Sequence, residues 1–397
     1  MRKRARRAYA GTGGALVAVL TAALLGGCSQ EVRGEEDLAA RPYTGTFYDD
    51  PPAAAGKPGE IVRSELAAGG PFGATAWRIL FRSTDLTGRP VLNSGMLLEP
   101  DGPAPDGGRT IVSWAHPTTG SAEKCAPSRS VDPYVWIEGL RVLLDQGYAV
   151  VSSDYTGMGV GGPNSYLVGG TEGRNVLDAA RAARDFLGSA ASDRVLLWGH
   201  SQGGQAALFA AQLWKAYAPE LDVRAVAVAA PATDLASLMR ADIGDVSGVS
   251  IASYAFDAYS EVYGAPLDSI LTPSAVAAVP TMAGFCLLTQ NSALHDVAQP
   301  LVGRFLSGDP ETTEPWAGLL AANTPGGMPI PAPVLVAQGL NDTLVRPSAT
   351  AAFVAEEKRR GTDVVYDQIA GATHGTVANK AMPAVLRFFE RSDRSNG

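Results

Sequence analysis

The chain is poor in the residues that bind metal ions, since its 397 residues include only four histidines and three cysteines. These residues do not form the H-E-x-x-H or paired C-x-x-C spacings of zinc sites, so no metal site is predicted. Charged residues make up only 18% of the chain, and the formal net charge is −8. No basic patch offsets that negative charge, which argues against nucleic acid as a partner. The hydrophobic content of 46% excludes a disordered chain and predicts a folded globular protein.

A nucleotide cofactor is not predicted either. Gly157, Gly159 and Gly162 match G-x-G-x-x-G after a strand-like run. Pro163 and a polar loop follow them, whereas a dinucleotide-binding motif needs a helix whose N-terminus receives the pyrophosphate. These glycines therefore indicate a loop, and we expect no cofactor.

The first 27 residues are predicted to be a signal peptide. Basic residues near the start precede the apolar run Ala15 to Leu25, which is too short to span a bilayer as a helix. The Leu-Gly-Gly-Cys sequence that ends at Cys28 resembles a bacterial lipobox, in which the cysteine is lipidated and becomes the first mature residue. We expect residues 28–60 to form the lipidated N-terminus and a flexible tether. The expected location is therefore extracytoplasmic and membrane-anchored, and the alternative is an ordinary secretory signal with an incidental cysteine.

Two cysteines, Cys125 and Cys286, remain beyond the predicted lipobox. In an oxidising compartment, two remaining cysteines predict one disulfide. Two free buried thiols are the alternative, because unpaired cysteine is commonly buried as a small apolar residue.

Apolar strand-like runs alternate with helical patterns along most of the chain. Ala76 to Ser83 and Pro90 to Glu99 predict an antiparallel pair. Continuous apolar runs between helices then predict a parallel sheet that is covered on both faces. The alternation stops in a stretch rich in Ala, Ser, Pro and Gly, and later resumes. The sequence thus predicts an α/β fold with a mostly parallel, doubly wound sheet in a core formed by 61–232 and 331–397, and an inserted helical cap or lid at 233–330.

A serine in a sharp turn between a strand and a helix is the candidate nucleophile. Gly199-His200-Ser201-Gln202-Gly203 is a G-x-S-x-G pentapeptide between the apolar run Arg194 to Trp198 and a helical segment that extends to Tyr217. In such a nucleophile elbow, Gly199 and Gly203 allow a close approach that a Cβ would block. The turn would present the Ser201 hydroxyl at a helix N-terminus. A structural Gly/Ser turn is the alternative interpretation.

A serine hydroxyl needs a general base that accepts its proton, and elimination among four histidines selects His374. His374 follows the last predicted strand, where a sharp loop can return it to the strand ends. His116 ends an early strand, and His295 lies in the predicted cap. His200 neighbours the nucleophile, and we expect its side chain to point away from Ser201.

The acid that orients the base should follow the next-to-last strand, and Asp342 does so. Asp363 and Asp367 compete with it, but they fall at the start of the last predicted strand or within it. With Asp342 as the acid, the order along the chain is Ser…Asp…His, which is that of α/β-hydrolases and differs from that of chymotrypsin or subtilisin.

An oxyanion hole needs two backbone N–H donors, and the residue after the nucleophile, Gln202, should supply one. The other should come from the loop after the strand Thr110 to Ala115, where Pro117 has no N–H. Thr118, Thr119 or Gly120 must then donate, and we select Gln202, Thr119 and Gly120 as the predicted oxyanion hole.

Several short motifs together resemble the secretory (lipase A-type) lipase family of α/β-hydrolases. They are Phe47-Tyr48 with a nearby Pro-Pro, the run Pro58 to Glu65, Cys125-Ala126-Pro127-Ser128, Asp154-Tyr155-Thr-Gly and Gly199 to Gly204. The resemblance extends over residues 45–395 and implies hydrolysis of acylglycerols or similar lipophilic esters under an inserted lid. It implies the catalytic set Ser201, Asp342 and His374 and a Cys125–Cys286 bridge. The lipobox is a departure, since many relatives are freely secreted.

The sequence therefore predicts a monomeric, extracytoplasmic serine ester hydrolase, a lipase or carboxylesterase, that cleaves lipophilic esters through an acyl-enzyme. A serine peptidase on the same fold is one alternative, because carboxylates in the cap could bind a peptide amine. The cap offers Asp242, Asp245, Asp257 and Glu261 for this purpose. A non-catalytic ligand-binding lipoprotein is the other alternative, and the complete predicted triad argues against it.

Overall fold

The computed structural model describes residues 41–394. The predicted signal peptide 1–27, the predicted lipidation site Cys28 and the first part of the predicted tether lie outside the described residues. They remain predictions, as does the division of the chain into a core and an inserted cap.

A single mixed sheet of nine strands forms the centre of the described region. The strands are β1 Ile61–Leu66, β2 Ala74–Thr84, β3 Pro90–Pro100, β4 Arg109–Ala115, β5 Ala149–Ser153, β6 Ala191–His200, β7 Asp222–Ala229, β8 Val334–Gly339 and β9 Val364–Ile369. Their order across the sheet is β1-β2-β3-β5-β4-β6-β7-β8-β9. The first three pairs in this order are antiparallel and all pairs from β5 to β9 are parallel. The predicted mostly parallel sheet is confirmed.

Helices cover both faces of this sheet or lie in the segment between β7 and β8. In chain order they are α1 Leu140–Asp145, α2 Gly169–Leu187, α3 Gln202–Tyr217, α4 Leu235–Asp242, α5 Val246–Tyr263, α6 Pro273–Ala283, α7 Asn291–Ala298, α8 Trp316–Ala322, α9 Pro347–Arg359 and α10 His374–Arg394. Apolar residues of α2, α3 and α9 form a buried cluster with one face of the sheet, and those of α1 and α10 do so with the other. Central strands such as β4 and β5 are consequently buried along their whole length, as their continuous apolar sequences predict.

Helices α4 to α8 lie between β7 and β8, within the range that was predicted as a cap. Their apolar side chains form a buried cluster of their own, which includes Tyr254, Phe256 and Trp316. Three residues that precede α2, Tyr166 to Val168, join this cluster and connect it to the core. The segment therefore has its own apolar interior and does not extend the sheet.

The prediction of a flexible tether is wrong for residues 41–60. Phe47 and Tyr48 are only 4% and 5% exposed, and they form a buried cluster with Leu80 and Leu92 of the sheet. The Tyr48 hydroxyl hydrogen-bonds Ser128 Oγ at 2.6 Å. The many prolines and acidic residues of this segment concealed the aromatic pair, whose burial supplies the free energy that fixes it on the core.

Candidate active site

The predicted nucleophile lies at a strained turn between β6 and α3. Ser201 has φ 56°, a left-handed conformation that is uncommon for a residue with a side chain. A Cβ on Gly199 would come within 2.2 Å of the Gly203 carbonyl oxygen, and one on Gly203 within 1.9 Å of the Ala115 carbonyl oxygen. Glycine is therefore required at both positions, and the turn brings the Ser201 hydroxyl to the start of α3.

Three side chains that are far apart in the sequence meet at the carboxyl ends of the parallel strands. Nε2 of His374, at the start of α10, is 2.9 Å from Ser201 Oγ, and its Nδ1 is 2.8 Å from Asp342 Oδ2. The backbone N–H groups of Leu344 and Val345 both donate to Asp342 Oδ1 at 2.9 Å, so the loop after β8 fixes the carboxylate. The structure thus brings together the three residues predicted to be catalytic.

The two competing aspartates are held elsewhere. The carbonyl oxygen of Asp363 accepts a hydrogen bond from the Val334 N–H at the start of β8, at the opposite end of the strands from Asp342. Asp367 lies inside β9, where it is paired with Ala337. Neither is hydrogen-bonded to His374 in residues 41–394.

Burial sets the protonation of the candidate base. Loss of solvation lowers the pKa of His374 below its ordinary value of 6.5, and the hydrogen bond to Asp342 opposes that shift. Since the net direction is downward, the imidazole is neutral at neutral pH. A neutral imidazole can accept a proton from a hydroxyl.

The side chain of His200 lies beside the candidate base His374, a contact that the sequence did not predict. Its ring lies against that of His374, with 4.9 Å between ring centroids, and its Nδ1 is 2.9 Å from Glu138 Oε2. The reason is the alternation of side chains along β6, which places His200 on the same face as Trp198. That face packs against α10, whose first residue is His374.

The loop after β4 places its three candidate donor residues in different surroundings. Thr118 lines the cavity above Ser201, whereas Thr119 and Gly120 are not among its lining residues within the described chain. The Thr119 hydroxyl donates to the Cys125 carbonyl oxygen at 2.9 Å, and its own carbonyl accepts the Leu287 N–H at 3.0 Å. Gly120 packs against the sulfur of Cys125. Thr119 and Gly120 thus contact the residues around the neighbouring disulfide, whereas Thr118 lines the same cavity as Ser201.

Cys125 and Cys286 form a disulfide in the structure, with 5.2 Å between their Cα atoms. The bridge spans 161 residues and joins the loop after β4 to the segment between α6 and α7. It therefore fixes the cap beside the loop that carries Thr118.

A cavity of about 530 Å³ opens above Ser201 and is lined mostly by apolar side chains. Cap helices supply much of this wall, including Leu235, Leu238, Met239, Ile251, Ala255 and Leu320. Polar groups are few, and most of them belong to the candidate catalytic set and its neighbours. A site of this kind suits a ligand with a long apolar part and one reactive polar group.

Only one of the four cap carboxylates considered for a peptidase lines this cavity, and it is Asp242. Asp245 caps α5 by accepting the Gly248 N–H. Asp257 and Glu261 both accept hydrogen bonds from Asn164. The cap therefore presents no carboxylate cluster to the cavity in the part of the chain that the structure describes.

Sequence reasoning missed Glu172, a fully buried residue beside the site. Its Oε1 accepts hydrogen bonds from Gln202 Nε2 at 2.6 Å and from the Leu167 N–H at 3.1 Å. Burial raises the pKa of Glu172 to about 8. A sequence cue was present, because Glu172 falls four residues before Val176 on the apolar face of α2.

No metal site and no membrane span is found in the described region. Residues 41–394 contain no group of three or more histidine, cysteine or acidic side chains that could hold a metal ion. None of the helices there has the length and apolar composition needed to cross a bilayer. Gly157, Gly159 and Gly162 lie in the predicted loop, between β5 and α2.

A model of the secretory lipase family matches residues 137–397, well over half of the chain. The chain belongs to the secretory lipase family. This secretory lipase is 26% identical over 387 aligned residues to a secreted triacylglycerol lipase of Malassezia globosa, and the match covers 89% of this chain and 80% of the relative. It is also 26% identical, over 86% of this chain and 79% of the relative, to a protein of Mycobacterium tuberculosis named a probable inactive lipase.

Among solved structures, the secretory lipase is similar to lipase A of Candida antarctica, with a TM-score of 0.71. The two share 20% identity over 89% of this chain and 86% of the other, so this likeness concerns the fold alone. The predicted α/β-hydrolase fold is confirmed. Family membership and these similarities together make the chain a hydrolase of the lipase/esterase type.

Proposed function

We propose that this lipase hydrolyses lipophilic carboxylic esters through an acyl-enzyme formed on Ser201. The observation that carries the proposal is the unbroken chain of hydrogen-bond contacts from Ser201 Oγ through the His374 ring to Asp342, with distances of 2.9 and 2.8 Å. Such a chain activates a hydroxyl that is otherwise a poor nucleophile. One relative is named a probable inactive lipase, so the support for catalysis comes from the side chains of this chain and not from family membership.

Acylation begins when Ser201 Oγ attacks the ester carbonyl carbon and His374 Nε2 takes the hydroxyl proton. Asp342 accepts a hydrogen bond from His374 Nδ1, which keeps the proton off Nε2 in the resting state and stabilises the imidazolium that forms. When the tetrahedral intermediate collapses, the C–O bond to the alcohol breaks. His374 then passes its proton to the departing oxygen, which leaves as a free alcohol.

Two backbone N–H groups, those of Gln202 and Thr118, are proposed to stabilise the negative oxygen of the intermediate. Both residues line the cavity, and neither N–H donates a hydrogen bond to another residue within 41–394. The proposed donor pair is therefore Gln202 with Thr118, in place of Thr119 or Gly120. The loss of one such donor typically costs about 3 kcal/mol of transition-state stabilisation.

Deacylation repeats these steps with water as the nucleophile. His374 takes one proton of the water, and the oxygen attacks the acyl carbon under the same oxyanion donors. The intermediate then expels Ser201 Oγ, which recovers its proton from His374. The products are the carboxylic acid and the regenerated enzyme.

The apolar wall of the cavity supports a lipophilic acyl group as the part that binds there. The relative from Malassezia globosa is named a secreted triacylglycerol lipase, which supports acylglycerols as substrates and a location outside the cytoplasm. We propose further that Cys28 is lipidated and that the enzyme acts as a membrane-anchored monomer. Palmitate labelling of the exported protein and of a Cys28→Ser variant would test the anchor.

A comparison of the wild-type protein with a Ser201→Ala variant tests the proposed chemistry. We expect the variant to lose about 10⁴-fold or more of kcat on p-nitrophenyl octanoate and to lose all labelling by a fluorophosphonate probe. Ser348→Ala, which changes an exposed serine at the start of α9, is the matched control and should retain both. Activity that survives Ser201→Ala would reject the nucleophile, and faster cleavage of an aminoacyl anilide than of the ester would favour a peptidase.

A further inference from the structure

One carboxylate that lines the cavity, that of Asp242, accepts no hydrogen bond from any residue within 41–394. Asp242 is the last residue of α4, is only 9% exposed, and lines the same cavity as Ser201 and His374. Its only ion-pair contact in residues 41–394 is with Arg346, whose Nη2 is 4.0 Å from Oδ1, beyond hydrogen-bond length. That guanidinium donates to the Ala241 carbonyl oxygen at 3.2 Å, and its side chain is mostly exposed to solvent.

The Asp242 carboxylate accepts no hydrogen bond from another residue within 41–394, so its oxygens are free to accept one at the cavity surface. Loss of solvation raises the pKa of Asp242 to about 6, with Arg346 opposing this and Asp245 and Asp342 adding to it. The group is therefore still charged at neutral pH. An ionised acceptor that faces a mostly apolar cavity is suited to bind a hydrogen-bond donor that arrives with the substrate.

The position of Asp242 relates it to the alcohol side of the ester. His374 must deliver its proton to the departing oxygen, so the alcohol lies on the side of the cavity formed by His374 and the loop after Asp342. Leu344 and Val345 of that loop line the cavity, and the next residue, Arg346, is the one that approaches Asp242. The proposed oxyanion donors come from other elements, the loop after β4 and the start of α3.

We propose that Asp242 is a binding site for a free hydroxyl group on the alcohol part of the substrate. The class of ester that fits is a partially acylated polyol, such as a monoacylglycerol, in which a hydroxyl remains close to the ester bond. This inference rests on the proposed function, and it adds a preference among esters to the hydrolysis itself. Ser201 and His374 cleave the bond, and Asp242 selects the alcohol.

The test compares two esters of one acid, 1-monooctanoylglycerol and propyl octanoate, which differ in the two hydroxyl groups of the alcohol. The measured quantity is kcat/KM for 1-monooctanoylglycerol divided by kcat/KM for propyl octanoate. A hydrogen bond to a charged group predicts that this ratio falls about tenfold in Asp242→Leu. It should fall less in Asp242→Asn, because the amide oxygen still accepts a hydrogen bond. Asp296→Asn removes the same charge from an exposed position on α7 and should leave the ratio unchanged.

The outcomes separate this inference from the proposed function. If the wild-type enzyme cleaves neither ester, the hydrolase proposal fails first. If it cleaves both and the ratio in Asp242→Leu equals that of the wild type, the hydroxyl site is rejected. Octanoylcholine carries a positive charge without a hydroxyl. If Asp242→Leu lost activity on this third ester alone, Asp242 would bind a cation and not a hydroxyl group, which would overturn the proposal.

Discussion

The sheet core and the inserted helical segment contribute different things to one cavity. Every member of the proposed triad follows a core strand, since Ser201 follows β6, Asp342 follows β8 and His374 follows β9. The helices α4 to α8 contribute none of the triad, but they supply much of the apolar wall. Hydrogen bonds between neighbouring parallel strands hold the strand ends, and therefore the proposed triad, in fixed positions. The cap helices pack around a separate interior, so their cavity-lining residues can be substituted without moving the strand ends. Under the proposed function, the reaction and the choice of substrate are thus set by different parts of the chain.

The two parts are joined at a few defined places. The Cys125–Cys286 bridge connects the loop after β4 to the segment after α6. Two hydrogen bonds also connect the core to the inserted segment. One runs from the Tyr259 hydroxyl to the Leu167 carbonyl oxygen, and the other from Gln205 Nε2 to the Asn323 carbonyl oxygen. These ties hold the apolar wall over Ser201 while leaving its composition independent of the triad.

The largest effect is expected from a change in the core, Asp342→Asn. An amide in place of the carboxylate would favour the wrong tautomer of His374, and we expect kcat to fall about 10⁴-fold for short and long esters alike. Because Asp342 raises the pKa of His374, its removal should also move the acid limb of the kcat/KM profile to lower pH. Initial rates between pH 4 and pH 9 would measure both.

Asp363→Asn is the control for that experiment, because Asp363 is an exposed aspartate at the far end of β9. It should change kcat by less than about twofold, since surface changes away from a site have small effects. If kcat fell as much in Asp363→Asn as in Asp342→Asn, the acid that orients His374 would have been assigned to the wrong end of the strands.

A change in the cap should alter which esters are cleaved and leave the reaction intact. Ala255 lies on α5 and lines the cavity, so Ala255→Leu fills part of the space that an acyl chain would occupy. We expect kcat/KM for a palmitate ester to fall about tenfold or more, and that for a butyrate ester to change less than about twofold. Acyl-chain profiling of the purified variant is the measurement.

The matched control is Ala258→Leu, on the same helix. Ala258 is fully buried but is not among the cavity-lining residues in the described part of the chain. It should cost stability through overpacking and leave the chain-length profile unchanged. If both substitutions shifted the profile equally, or if Ala255→Leu reduced the short ester as much as the long one, the separation between core and cap would be lost.

Sequence analysis could predict the features that depend on local pattern or chain order, and it was less able to predict those that depend on contacts between distant segments. The three residues of the proposed triad could be selected from sequence because the order of strands, the glycines at 199 and 203 and the small number of histidines leave few choices, and each depends on local pattern or on chain order. The oxyanion loop was harder, because Thr118, Thr119 and Gly120 are consecutive. The proposal of Thr118 depends on contacts of Thr119 with other residues, its hydrogen bonds with the Cys125 carbonyl oxygen and the Leu287 N–H, and no sequence pattern predicts those contacts.

Contacts between distant segments explain the other misses. Phe47 and Tyr48 lie in a proline-rich segment that has the composition of a tether, and their burial depends on a surface formed by β2 and β3. The partner of Glu172 is Gln202, thirty positions away on another helix. Neither pairing follows from periodicity, which reports the face of an element and not what will pack against it.

The smallest predicted effect concerns Glu172, which connects the start of α3, through Gln202, to the Leu167 N–H in the segment that joins the apolar cluster of the cap. Its pKa of about 8 exceeds the ordinary value of 4.5, so the folded state binds this proton more tightly than the unfolded state. Its contribution to stability is therefore fully present below pH 4.5 and is lost as the pH rises toward 8. Glu172→Gln keeps the acceptor for both donors and cannot ionise, so melting temperatures between pH 5 and pH 9 should decline less than in the wild type. Glu314→Gln, at an exposed position, should follow the wild-type curve. An unchanged decline in Glu172→Gln would show that protonation of this buried carboxyl does not contribute to stability.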